Sequence, residues 1–322
     1  MLNILQIPAP VKSFFDKFPI ETYGPVEKRD DALAHEINSR IYNFEGSNAL
    51  QKSANDTFKL GVYRVMQDSR SGRFLASDPW CLYAQLSLCK KSGLKLSSKC
   101  KVQEIKDSNP NSKHSVYEIS SLAANERVLP VLIEGSSKRH VRSAAGIYEI
   151  LNSRLTTAEE LMYSLLLDSV VYDCYTSKVL YQLNFSEFLN LYGDRSSTAV
   201  DRLVCHTLRE DLSKRNNFAL RHRELVARGR YSQLFKRSDN MLQLIARVEE
   251  NCRQTLTQFQ ALLGTTTGFY QDNSEPSYLD LKLASYIYCL LTLPESASMA
   301  EFLRQECSVL VVHSQKVISY YQ

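Results

Sequence analysis

The chain has 322 residues, 44% of them hydrophobic and only 11 of them glycine, and its 39 cationic and 35 anionic side chains leave a formal net charge of +4. This composition excludes a disordered chain and favours a helix-rich protein of two packed units of about 100 to 200 residues each. The charge is too small for a sequence-independent grip on nucleic acid, and the 8 cysteines, with no Cys-x-x-Cys pair, form neither a disulfide framework nor a zinc cage.

Residues 1–56 read as an extension. Its apolar start, Met1 to Ile7, is too short and lacks the cationic lead of a secretory signal. Pro8, Pro10, Pro19 and Pro25 are expected to interrupt regular structure, yet Phe14, Phe15, Phe18, Ile20 and Tyr23 are too apolar for a solvated linker. Such a segment expects a surface, either the protein's own first domain or a partner on which aromatic rings bury area at low entropic cost. The spacing of Leu33, Ile37 and Ile41 predicts a short helix over 31–42, and 46–56 reads as a polar connector.

A first domain is expected over residues 57–152. Leu60, Val62 and Val65 around Tyr63 read as one strand, and Asp78-Pro79-Trp80-Cys81 opens a helix to about Lys91. This is the layout of a Cys-Pro-x-Cys redox turn whose first cysteine is replaced by Asp78. A cysteine there would have its thiolate stabilised by the helix N-terminus; an aspartate caps the helix and exchanges no disulfide. Cys81 holds the resolving position and is expected to be buried. A polar insertion follows near 97–115. Val128 to Ile133 is an apolar run interrupted by Pro130, which argues against a central strand but suits a thioredoxin-like fold, where a cis-proline opens the third strand beside the redox turn. A hairpin over 134–141 and a helix over 143–151 complete this domain.

Residues 153–322 read as helices only. Thr157-Ala158-Glu159-Glu160 is a capping box before an apolar-periodic run through Leu161, Leu165 and Tyr172. Further helices are predicted at 198–213, 239–263, 278–291 and 299–320, two of them opened by the boxes Ser277-x-x-Asp280 and Ser298-x-x-Glu301, with Gly264 and Pro294 as stops. The most apolar stretch, 283–293, is shorter than the roughly 20 residues a membrane span needs. The 6 histidines occur at no ligand spacing, and neither a phosphate loop nor a nucleophile elbow is present, so no metal and no cofactor is expected. Between Arg209 and Arg237 cations crowd around Glu210, Asp211 and Glu224. That stretch is either a solvated face or, through Arg215, Arg221 and Arg223, a contact for lipid headgroups or an acidic partner. Its few aromatic residues rank nucleic acid last.

The motifs in this order resemble the glutathione transferases, an α+β fold with an N-terminal thioredoxin-like domain followed by an all-helical C-terminal domain. Pro130, Arg142-Ser143 in place of an acidic residue and serine, and Ser277-x-x-Asp280 carry the likeness. Arg142 has the wrong sign for the amino group of glutathione, while Ser143 is either a residual acceptor or a helix cap. Within that superfamily the chain resembles the metaxins, above all their fungal members. The stretches that carry this are Pro10-Val11-Lys12, Phe18-Pro19, Leu60-Gly61-Val62-Tyr63, Asp78-Pro79-Trp80-Cys81-Leu82, Leu161-Met162-Tyr163, Tyr172-Asp173-Cys174, Lys214-Arg215-Asn216 and Arg221-His222-Arg223-Glu224. The resemblance implies a non-catalytic, peripheral protein on the cytosolic face of the mitochondrial outer membrane. There the β-barrel core subunit of the sorting and assembly machinery would hold it, beside a second metaxin-like subunit. It would help recognise the β-signal of β-barrel precursors, and touch the membrane surface through its partner. Phe14, Phe15, Phe18 and Pro19 would contact that partner. A glutathione-dependent transferase or peroxidase, or a GST-like interaction module of another kind, are the alternatives.

Overall fold

The computed structural model describes residues 9–17, 32–50, 57–102, 113–135, 139–193, 201–232, 239–264 and 268–322. Two compact units divide the chain, Met1–Ile37 and Asn38–Gln322. In the first, α1 (Ala9–Lys17) forms despite Pro10, because a proline in the first turn lacks only an N–H that has no helical partner anyway. The expectation that the prolines exclude a regular element is thereby corrected. α1 buries none of its residues, and Phe14 and Phe15 meet edge to face with ring centroids 5.9 Å apart. α2 (Ala32–Ser39) is shorter than the predicted helix over 31–42.

The second unit starts from a five-stranded sheet. Along the chain its strands and one hairpin are β1 (Ile41–Asn43), β2 (Thr57–Val62), β3 (Val65–Gln67), β4 (Phe74–Ala76), β5 (Ser115–Glu118), β6 (Val131–Gly135) and β7 (Arg139–Arg142). The sheet order is β1-β5-β2-β6-β7, with β2 and β5 parallel and the other pairs antiparallel, while β3 and β4 pair only with each other. Two expectations change here. The run Leu60 to Val65 is two strands rather than one, broken at Tyr63-Arg64. The sheet also begins at Ile41 rather than at residue 57, since Tyr42 and Phe44 are buried in its core. Much of the expected polar insertion, residues 103–112, lies outside the described residues.

α3 (Pro79–Ser92) packs against β4 and ends as a helix should, at Gly93 with φ 60°. The Leu129–Pro130 bond before β6 is cis. α4 (Ala144–Asn152) follows β7, close to the predicted 143–151.

The helical part comprises α5 (Ala158–Leu166), a π-helical turn over Leu167–Val171, α6 (Tyr172–Tyr181), α7 (Phe185–Tyr192), α8 (Asp201–Lys214), α9 (Phe218–Arg221), α10 (Arg223–Ser232), α11 (Asp239–Leu263), α12 (Tyr278–Leu291), α13 (Ala300–Glu306) and α14 (Ser308–Tyr320). The capping boxes at Thr157 and Ser277 form as expected. The one at Ser298 does not: Met299 is the cap residue, Ser298 Oγ accepts from the Ala300 N–H at 3.1 Å, and the predicted single helix over 299–320 breaks at Cys307. No cysteine is joined in a disulfide, and all but Cys100 are buried. Among the described residues no helix is long and apolar enough to cross a membrane.

Candidate functional site

Asp78 caps α3 as its position predicts: Oδ2 accepts from the N–H groups of Trp80 and Cys81, both at 3.1 Å. Pro79 at the first helical position needs no such partner. A carboxylate has about four lone-pair sites, and helix α3 fills only one of the two oxygens. The rest are filled from the helical part. Arg215 donates from its two Nη atoms to Oδ1 at 2.8 Å and Oδ2 at 2.9 Å, and the Tyr192 hydroxyl donates to Oδ1 at 2.9 Å. Tyr192 is in turn 3.0 Å from the Tyr175 hydroxyl. The side chains of Arg215 and Asp78 are 1% and 0% exposed, so this ion pair is shut off from water.

The guanidinium also lies 4.4 Å from the Trp80 ring centroid and 5.6 Å from that of Tyr172. Cation–π contacts of this kind strengthen where water is excluded. Arg215 is therefore not an exposed charge, and the expectation that it faces lipid or an acidic partner is corrected: its charge is spent on Asp78. Sequence reasoning missed this because the partners are 137 positions apart. The only signal was chemical, since an aspartate replacing a buried cysteine requires a counter-ion from somewhere.

The thiol of the turn is shut off from water. Cys81 is fully buried, and burial followed by the nearby Asp78 charge pushes its thiol well above its ordinary range, with Arg215 opposing. A thiol held protonated is not a nucleophile. On the proline side, the N–H of Leu129 is taken by the Tyr63 hydroxyl at 3.2 Å. Ser143 caps α4 by accepting from the Gly146 N–H at 3.4 Å, and Arg142 pairs with Glu134 at 2.7 Å. Arg142 lines a groove of about 390 Å³ with Glu134 and Lys91. Trp80, Ala144 and Arg215 line a different cleft of about 510 Å³.

A second buried charge stands behind the same aromatic wall. Lys282, with a side chain 0% exposed, donates to Asp168 Oδ2 and Ser164 Oγ, each at 2.6 Å. Tyr286 donates to Asp168 Oδ1 at 2.7 Å, and Tyr148 donates to Asp168 Oδ2. Burial pulls the Lys282 ammonium below its ordinary range and Asp168 holds it up. Tyr148 stacks on Trp80, with centroids 4.9 Å apart and planes 15° from parallel, and so joins the two charged clusters.

The remaining expected residues scatter. Arg221 grips the buried Asp173 through two 2.7 Å bonds, and His222 lies 2.7 Å from the same carboxylate. Arg223 opens α10 on the surface. Arg209, first of the cationic stretch, donates to the carbonyls of Leu180 and Leu183 and covers the Phe188 ring at 4.6 Å. Arg209 and Arg221 thus tie helices of this part to one another. Phe14 and Phe15 sit on α1, whereas Phe18 and Pro19 lie outside the described residues. No group of His, Cys, Asp and Glu among the described residues is arranged to hold a metal.

A sheet of this order, a cis-proline, a redox turn emptied of its thiol and a following helical part define a glutathione-transferase-like protein. A family profile described as "SAM35, subunit of SAM complex" matches residues 5–134. The chain is 35% identical to the sorting assembly machinery 35 kDa subunit of Saccharomyces cerevisiae over 335 aligned residues, covering 99% of this chain and 98% of that protein. It belongs to this SAM35 family.

Proposed function

We propose that this chain is a non-catalytic subunit of the machinery that assembles β-barrel proteins in the mitochondrial outer membrane. It would be peripheral, on the cytosolic face, and held by the β-barrel core subunit beside a second metaxin-like subunit. The single observation that carries the non-catalytic reading is the buried Asp78–Arg215 pair in the place of a reactive thiolate. Family membership supports the assembly role. The mechanism is binding: an extended precursor strand has unpaired N–H and C=O groups, and holding it near the barrel's open seam keeps it available until strand pairing captures it. Phe14, Phe15, Phe18 and Pro19 form the aromatic contact to the barrel subunit. Arg223, exposed at the start of α10, supplies the charged one.

Affinity purification of the tagged chain from detergent-solubilised mitochondria tests the assignment. The barrel subunit is expected to co-purify, and the purified chain is expected to conjugate no glutathione and reduce no disulfide above buffer. Turnover that vanishes on Cys81→Ser would sink the non-catalytic reading; recovery of the chain free of any barrel protein would sink the assembly reading.

A further inference from the structure

The cleft of about 510 Å³ beside the Asp78–Arg215 pair has Trp80, Tyr148, Glu126, Glu149, Asp211 and Arg215 in its walls. Three of these residues carry a buried polar atom with no partner among the described residues: Trp80 Nε1, Arg215 Nε and Asp211 Oδ2. Buried polar atoms are almost always paired, so three around one cleft call for an explanation. Arg215 is only 4% exposed, and its end-on grip on Asp78 through both Nη atoms leaves Nε on the far side of the guanidinium. The cleft also reaches the first turn of α4, whose leading N–H groups have no intrahelical partner.

Charge decides what could fill it. Arg215 is neutralised by Asp78, and Lys214 lies 3.0 Å from Glu210. Against these stand the carboxylates of Glu126, Glu149 and Asp211, of which Asp211 has cations beside it, Lys214 and Arg127. An anion such as glutathione meets the wrong sign here. A neutral group that offers acceptors to Trp80 and Arg215 and a donor to Asp211 meets the right one. An extended peptide main chain has this mixture, one C=O and one N–H per residue, with side chains alternating to either side. The stacked rings of Trp80 and Tyr148 give an apolar side chain a wall to lie on.

We infer that this cleft binds a short extended peptide segment through its main chain. The assembly role rests on separate grounds and enters only in the choice of probe, a blocked ten-residue peptide of alternating apolar and polar residues, the pattern of a membrane-barrel strand.

Trp80 is the chain's 1 tryptophan, so its emission reports the cleft alone. Titration of the full chain with the acetylated, amidated peptide is expected to change Trp80 emission saturably. N-methylation of alternate backbone amides removes the donors and should weaken binding about tenfold, the size of one lost hydrogen bond. Asp211→Ala, a change to a strong helix former on α8, should weaken it similarly while leaving the far-ultraviolet circular dichroism unchanged. Three results overturn the inference: no response to millimolar peptide, as for a cleft that holds only water; binding indifferent to N-methylation; or glutathione that saturates the same signal as tightly. A silent cleft in a chain that still co-purifies with the barrel subunit removes this inference and leaves the assembly role intact.

Discussion

Asp78→Asn separates the two jobs of the residue at the start of α3. The amide keeps an oxygen that can accept from the Trp80 and Cys81 N–H groups, so the cap, worth about 1 kcal/mol, is retained. What is lost is the charge opposite Arg215, whose side chain is 1% exposed and cannot turn to water. Removing one partner of such a pair costs about 3–5 kcal/mol, a fifth or more of the roughly 5–15 kcal/mol that stabilises a native protein. With a urea slope of about 3 kcal/mol per molar, the unfolding midpoint should fall by about 1 to 2 M. Arg215→Met should cost a similar amount, by stranding Asp78. The double variant should be more stable than either single one, because neither charge is then left buried alone. Urea titrations of the four proteins, followed by circular dichroism, measure this cycle. A loss under about 1 kcal/mol for Asp78→Asn, the size expected of a surface pair, would refute the reasoning, as would a double variant whose loss is the sum of the two singles.

Maleimide labelling of the native chain should modify Cys100 and spare the other cysteines until denaturant is added, because only Cys100 is not buried; rapid native labelling of Cys81 would contradict the closed turn. Burial acts to raise the Glu249 carboxyl, but its bonds to Lys178 and Arg253 outweigh this and hold it below the ordinary value of 4.5. A depressed carboxyl contributes stability that is present above that value and lost as pH falls through the lower folded one. Glu249→Gln should therefore be less stable near neutral pH and flatten the acid limb of a denaturation profile, and an unchanged limb would count against the Lys178 pair. Deleting residues 1–23 should lower the yield of assembled complex at every salt concentration, since apolar anchors carry most of an interface's energy. Arg223→Glu should act mainly at low ionic strength, because exposed charges are screened beyond about 8 Å at physiological salt. Native electrophoresis across a salt series separates the two, and equal salt dependence would remove the distinction.

What could be read in the sequence was what is decided within four residues. The caps at Asp78, Ser143, Thr157 and Ser277 each bond to a neighbour along the chain, and all four stand where their motifs put them. The box Asn184-x-x-Glu187 opening α7 is equally local, but it starts from asparagine rather than from the serine or threonine of the usual capping box. β1 was hidden because Ile41 to Asn43 has meaning only beside β5, some 70 residues on. The break at Cys307 carries no glycine or proline, so an apolar pattern runs straight across it. The cationic stretch misled most. Its composition is that of a solvated face, yet Arg209, Arg215 and Arg221 each end on an acceptor contributed by another element.

The 137 positions between Asp78 and Arg215 are also an interval of time. A ribosome working at about 5–20 residues per second needs roughly 7 to 27 s to get from one to the other. Throughout that interval the nascent α3 begins at a carboxylate whose counter-ion has not been made. The first strands can pair, but the start of α3 is finished only when Arg215 has left the exit tunnel. The order of synthesis therefore gives this protein a waiting period in which its sheet and its first long helix are vulnerable. A chaperone that shields the emerging chain would matter most there.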